Sequence, residues 1–428
     1  MWNKGYFIMS VAFDSNVNII CEIAFDSEPF EETQIWTDVS QYVRAFSTTR
    51  GRSNELADFV SGSLSVSLSN TDNRFNPTQT TYYYDSLNSK TKIQPLKRIR
   101  VRAEYDATTY DIFEGFLNTI PVKFVAGGVD SIVTFSANDA FKIFQSSQLD
   151  NRAWRLGRGG FAELGISTRL AYEDEQELTS ERVIRILNAV GFPNNRRDIS
   201  TGTNEVISQS IADNILTALR ENEVAENAQL FIDVNGNVVF RNRAYRLSNT
   251  NAIDVQATFS NTGSDLPYQN VSLSFDDNEI VNVYEWTREG GTTQYISDSN
   301  SVRDYTAKES NKTTINITDA DVLSIIEQKI AVNATPIVRV DDLTINARDD
   351  VNLWQHVLGR GFGDRIKVVV QNPNATTFTD ELWIESIKHN VNASSQSWTW
   401  TLTLSPAGSS AWILGQAKLG EGTKFAYS

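Results

Sequence analysis

Asp233-Val234-Asn235-Gly236-Asn237 carries side-chain oxygens at alternate positions, the spacing with which a loop begins to wrap a calcium ion. A complete loop of the EF-hand type needs oxygen ligands at positions 1, 3 and 5, then Gly at 6 and Glu at 12. Counted from Asp233, Gly236 falls at position 4, Val238 at 6 and Ala244 at 12, so the ligand set fails. Apolar Leu230-Phe231-Ile232 and Val238-Val239-Phe240 flank the Asn-Gly pair instead. That arrangement predicts a β-hairpin whose type I′ turn places Asn235 and Gly236 at positive φ.

Nucleophilic catalysis needs a base beside a serine or cysteine. The two histidines do not supply one in any recognisable setting: His356 falls in an amphipathic helical pattern and His389 in a strand beside Lys388. Both read as structural or exposed. Cys21 is alone, which rules out an intrachain disulfide and a cysteine zinc cluster. No Gly-x-Ser-x-Gly elbow and no phosphate-binding Gly-x-x-x-x-Gly-Lys-Ser/Thr loop occurs. The 53 acidic residues offer many carboxylate pairs, but none stands in a glycosidase motif. Glu173-Asp174-Glu175 reads as a solvated run, and Asp276-Asp277-Asn278-Glu279 as a turn or a weak cation site. Nine tryptophans raise the question of sugar stacking. Trp354 on an inward helix face, and Trp398 with Trp400 on one strand face, suit core or interface packing better. Arg152, Arg155 and Arg158 read as a partner contact or as an ordinary solvated loop. The expectation is a protein without catalytic residues, metal or cofactor.

The elements that hold these residues are mostly strands. Ser63–Ser69 alternates polar and apolar strictly, and Ile99–Ala103, Phe113–Leu117 and Ser131–Phe135 extend the set, predicting a barrel or sandwich over 1–145. An α/β accessory region is expected over 146–260. Its first helix opens at Thr179-Ser180-Glu181, shares Val183, Ile184, Leu187 and Val190 on one face, and stops at Gly191 and Pro193. Ile211, Ile215 and Leu219 mark a second helix. A second β region is expected over 261–428, interrupted by an insertion around 290–360. Thr318 caps a helix with Val322, Ile325, Ile326 and Ile330, and Asp349 or Asp350 caps another with Val351, Trp354, Val357 and Leu358 inward. The fold class is mainly β with small α/β insertions.

At 428 residues and 40% hydrophobic composition, the chain is long enough for several cores. Its net charge of −15 argues against a basic face for duplex DNA. It suits solubility, or a passage in which DNA does not stick. No run approaches the ~18 apolar residues of a membrane span, so stable membrane insertion is not expected.

The N-terminal third resembles the opening of the tail-tip, or baseplate-hub, minor tail proteins of long-tailed bacteriophages. The resemblance rests on Trp36-Thr37-Asp38-Val39, on Arg50-Gly51-Arg52, and on the strand that leads to Asn70-Thr71-Asp72-Asn73-Arg74-Phe75-Asn76-Pro77. Phe113-Glu114-Gly115 follows in order, then Gly236 with the "VVFRNR" stretch ending in Arg241 and Arg243, and finally Gly363-Asp364. The resemblance implies two tail-tube-like β domains per chain and a homotrimer that closes the tail tube below the distal tail protein ring. It implies contacts with the C-terminus of the tape-measure protein and with other tail-tip or fibre proteins, transient passage of DNA, and a place at the virion's tail tip. A receptor- or glycan-binding tail adhesin and a β-rich cell-wall glycan hydrolase are the alternatives.

Overall fold

In the computed structural model, residues 17–121, 131–147, 176–207, 214–275, 277, 279–372 and 376–407 are described. Arg152, Arg155, Arg158, Glu173-Asp174-Glu175, Ile211, Asp276 and Asn278 lie outside them.

The N-terminal strands are β1 (Val17–Ile23), β2 (Val43–Gly51), β3 (Val60–Ser69), β4 (Arg98–Tyr105), β5 (Thr108–Thr119) and β6 (Ile132–Asn138). They pair antiparallel in the order β2-β3-β6-β5-β4-β1. Alternation decides which face each side chain takes. In β3, Leu64, Val66 and Leu68 are buried, while the serines between them are only partly covered.

The middle of the chain adds α1 (Thr179–Ala189), α2 (Ile215–Glu226) and the hairpin β7 (Gln229–Ile232) and β8 (Val238–Arg241). Helix α1 begins at Thr179 as expected, but Ile184 is 40% exposed. Val183, Ile186, Leu187 and Val190 face inward, together with the buried Arg182. The 3.6-residue period turns Ile184 away from that stripe. The hairpin forms with Ile232 opposite Val238, but its turn differs from the type I′ expectation. Only Gly236 takes a positive φ, at 74°, and Asn235 does not. The Asp233 carboxylate organises the turn, accepting from the backbone N–H of Asn235 (2.9 Å) and of Asn237 (2.8 Å). The longer loop closes on a glycine at αL, so one left-handed residue suffices.

The second strand set contains β9 (Val255–Ser260), β10 (Asn270–Ser274), β11 (Val283–Arg288), β12 (Thr293–Ser297), β13 (Glu309–Thr314), α3 (Asp319–Asn333), β14 (Arg339–Asn346), α4 (Trp354–Gly359), β15 (Arg365–Val370), β16 (Phe378–Asn392) and β17 (Ser397–Pro406). Strands β10 and β14 pair antiparallel, and the chain between them builds a separate three-stranded sheet, β12-β11-β13, covered by α3. Tyr284, Trp286, Val322, Ile325, Ile326 and Ile330 form its own small core. The Asp350 side chain caps a short 3-10 turn that leads into α4 by accepting from the Asn352 N–H. Trp354, Val357 and Leu358 are buried as expected, whereas Val351, in that opening turn, is 65% exposed.

The two β regions share one continuous sheet. Strand β16 pairs β17 along one edge, over Leu382–Asn392. Its other edge is divided: β15 takes Phe378–Trp383, and β2 takes Ser386–Asn392. Strands β2 and β15 therefore meet end to end against β16, and no closed barrel is present among the described residues. One large hydrophobic core runs beneath both halves, and Trp354, Trp398 and Trp400 lie in it.

Candidate functional site: a buried ionic seam

Where β2 hands over to β15, the ladder of β16 shifts register between Ile384 and Ser386. The residue at the shift is Glu385, which is fully buried. Its carboxylate accepts from Arg52 Nε at 2.6 Å, from Arg246 Nη2 at 2.5 Å and from the Ser405 hydroxyl. Burial alone would raise this carboxyl, but the Arg246 and Arg52 guanidiniums outweigh it and hold the group down to about 2.

The backbone of the same point is closed by residues from both strand ends. Arg52 N–H donates to Glu385 O at 3.0 Å, Gly363 N–H to Ile384 O at 2.8 Å, and Ile384 N–H to Asp364 O at 3.1 Å. Gly51 has φ +117°, and a Cβ there would lie 2.2 Å from Glu385 O. Only glycine meets both demands.

Aromatic rings receive the guanidinium faces. Arg52 stacks over Phe59 (4.7 Å), Arg246 over Trp383 (4.3 Å) and Arg50 over Phe362 (5.0 Å). Arg241, at the end of the hairpin, donates to Phe362 O at 2.6 Å and stacks over Phe231 and Tyr245. Arg50, Gly51, Arg52, Arg241, Gly363 and Asp364, scattered over more than 300 residues of sequence, are thus brought around one carboxylate and one phenyl ring.

The remaining motif residues sit elsewhere. Val39 is buried and its N–H bonds Cys21 O at 2.9 Å. The Asp38 carboxylate accepts from Ser40 N–H (2.8 Å), and Trp36 receives the Arg100 guanidinium at 4.1 Å. Asn70 Oδ1 accepts from Phe75 N–H (2.9 Å), closing the loop that seats Phe75 against Tyr42, Tyr83 and Phe135; Pro77 lies half-buried just beyond. Phe113 and Gly115 lie in β5, and a Cβ on Gly115 would meet Asn138 O at 2.5 Å. Gly236 lies against Arg98 and Glu114, where Glu114 bridges Arg98 (3.3 Å) and Arg196 (3.2 Å). Arg243 lines a cleft beside the seam, together with Arg52 and Arg246.

The arrangement fastens strands together and offers no acid–base step, because Glu385 is saturated by two guanidiniums and a hydroxyl. His389 is buried, and its Nδ1 accepts from Trp398 Nε1 at 3.2 Å. Burial and the nearby Arg50 push it down to about 3, so it stays neutral. His356 is half-buried and held down to about 4 by burial and Arg360. Asp277 pairs with Lys308 at 2.6 Å, and Glu279 pairs with Arg339. Sequence reasoning missed Glu385, Arg246 and the ion set that joins buried Arg98 and Glu114 to half-buried Arg196. The available signal for Glu385 was the apolar pair Ile384 and Ile387, whose spacing breaks strict alternation and marks a bulge.

No family model matches the sequence, and no curated protein matches it. Solved structures do. A tail protein from Neisseria meningitidis MC58 superposes with a TM-score of 0.55 at 8% identity, covering 91% of this chain and 96% of that one. The 43 kDa tail protein of prophage MuSo2 from Shewanella oneidensis superposes with a TM-score of 0.50 at 12% identity, covering 91% and 98%. The chain therefore shares their mainly β fold across nearly its whole length.

Proposed function

We propose that the chain is a structural component of a phage tail, and within it the tail-tip hub. The observation that carries this reading is the extent of the fold match: it spans 91% of this chain and 96–98% of two proteins described as tail proteins, leaving no large part of either unaccounted for. The seam adds a physical reason. A protein that works by holding its shape under load needs its two strand sets fused, and Glu385 with its guanidiniums fuses them.

In this reading three copies form a ring that continues the tail tube, meets the distal tail protein ring and the tape-measure C-terminus, and passes DNA without enzymatic chemistry. The two strand sets are the two tube-like domains, and the chain between β10 and β14 is an insertion in the second. The acidic balance suits a wall from which DNA slides free. Imaging the particle by cryo-electron microscopy tests the placement, and a cell-wall zymogram of the purified protein should show no clearing. Of the tryptophans in described residues, Trp286, Trp354, Trp398 and Trp400 are fully buried and Trp36 and Trp383 half-buried. That distribution favours packing over sugar stacking.

A further inference from the structure

Beside the seam, a polar cleft of about 220 Å³ opens between the main body and the sheet inserted between β10 and β14. The inserted part contributes Lys312 from β13 and Lys329 from α3; the body contributes Arg52, Arg243 and Arg246. Arg52 and Arg246 are committed to Glu385. The two lysines are not committed. Both ammonium groups approach the Trp286 ring, at 5.6 Å for Lys312 and 5.8 Å for Lys329, and neither has an ion pair among the described residues. Arg243 Nη1 is buried without a hydrogen-bond partner.

The acids on the cleft wall offset this set only in part: Glu223 and Asp58 favour the Lys329 ammonium without restoring its ordinary value, and Glu55 Oε2 is buried without a hydrogen-bond partner. Glu55 is engaged by Arg339, and Glu223 by Arg220 and by the Leu230 N–H at 2.8 Å. Asp58 is exposed. Burial, then Lys312 and Arg52, push the Lys329 ammonium down to about 8, the direction expected of a cation crowded by like charge. Crowded cations facing an open cleft are stabilised by an anion that bridges them.

We propose that this cleft is an oxyanion-binding site, in which Lys312, Lys329 and Arg243 hold a carboxylate or phosphate group. The bound anion joins the inserted sheet to the body, since its ligands come from both. This inference stands apart from the tail reading, because it rests only on the cleft. The cleft's size fits a small dianion or a single acidic side chain.

The test is calorimetric titration of the full chain with inorganic phosphate and, separately, with succinate, at an ionic strength fixed with chloride. Saturable one-to-one binding of either anion is expected, and the anion that binds tighter identifies its source as phosphate or carboxylate. Lys312→Met, at an exposed side chain, should weaken binding by about tenfold, and Lys329→Met at least as much. Lys388→Met, on exposed strand surface away from the cleft, should leave binding unchanged. If Lys329→Met disturbs folding by circular dichroism, Lys312→Met alone decides. Absence of binding to either anion, or equal affinity in Lys312→Met and the unsubstituted chain, would overturn the proposal.

Discussion

At the residue scale, Glu385 is fully buried and held by two guanidiniums and a hydroxyl. Removing one partner from a buried ion set strands the others, at a cost of about 3–5 kcal/mol. Glu385→Gln keeps the volume but leaves two guanidiniums uncompensated, so chemical denaturation should show a loss of that order. Acid should act on the same groups with a defined sign. Glu385 sits at about 2 when folded against an ordinary 4.5, so its contribution is complete above pH 4.5 and fades as pH falls toward 2. His389 sits at about 3 against an ordinary 6.5, and stability drains earlier, from pH 6.5 downward, as the unfolded chain gains a proton the folded one refuses. Asp139, raised to about 6 by burial despite the N–H and hydroxyl groups it accepts from, works the opposite way between pH 3.8 and 6. Burial also raises Asp111, Glu114, Glu223, Asp364 and Asp380, which act with Asp139 and against the two depressed histidines. His389→Gln, which can still accept from Trp398, removes the histidine's share, so its urea midpoint should fall less, or rise more, between pH 7 and pH 5 than that of the unsubstituted chain. A slope unchanged by the substitution would assign the acid sensitivity elsewhere.

At the element scale, the junction of β2 with β16 depends on Gly51. Gly51→Ala adds both a positive-φ strain and a collision with the Glu385 carbonyl, and should cost roughly 3 kcal/mol or more. Thermal melting should show it as a large drop, whereas Ile184→Lys, on the exposed face of α1, should stay within about 0.5 kcal/mol. This contrast marks what the sequence made readable. Strict alternation in Ser63–Ser69, the Asn-Gly hairpin and the apolar stripe of α3 all reflect local periodicity, and local periodicity survives folding. Pairings across long separations leave no such trace. Nothing near Arg50-Gly51-Arg52 announces that it will abut Gly363-Asp364 through a strand of neither, because that contact is set by the order of strands in the sheet. Ile184 and Val351 went astray for a smaller reason: an apolar residue beside a stripe is not always in it. The type I′ expectation failed because the Asp233 side chain, not the dipeptide, organises the turn.

At the scale of the whole molecule, one large sheet and one large core are shared by the two β regions, and smaller cores, one of them in the inserted sheet, add to the body. Four of its tryptophans are spent inside that body. Of the residues that carry the resemblance, Arg50, Gly51, Arg52, Arg241, Gly363 and Asp364 meet at the seam, and the others lie elsewhere in the fold. If the chain forms the proposed ring, its net charge of −15 predicts a negative electrostatic potential in the lumen. The central claim is placement, and cryo-electron microscopy of the intact particle tests it most directly. The account expects density for three copies of the chain around the tail axis at the tip; copies found only at the periphery, as fibres or spikes, would contradict it.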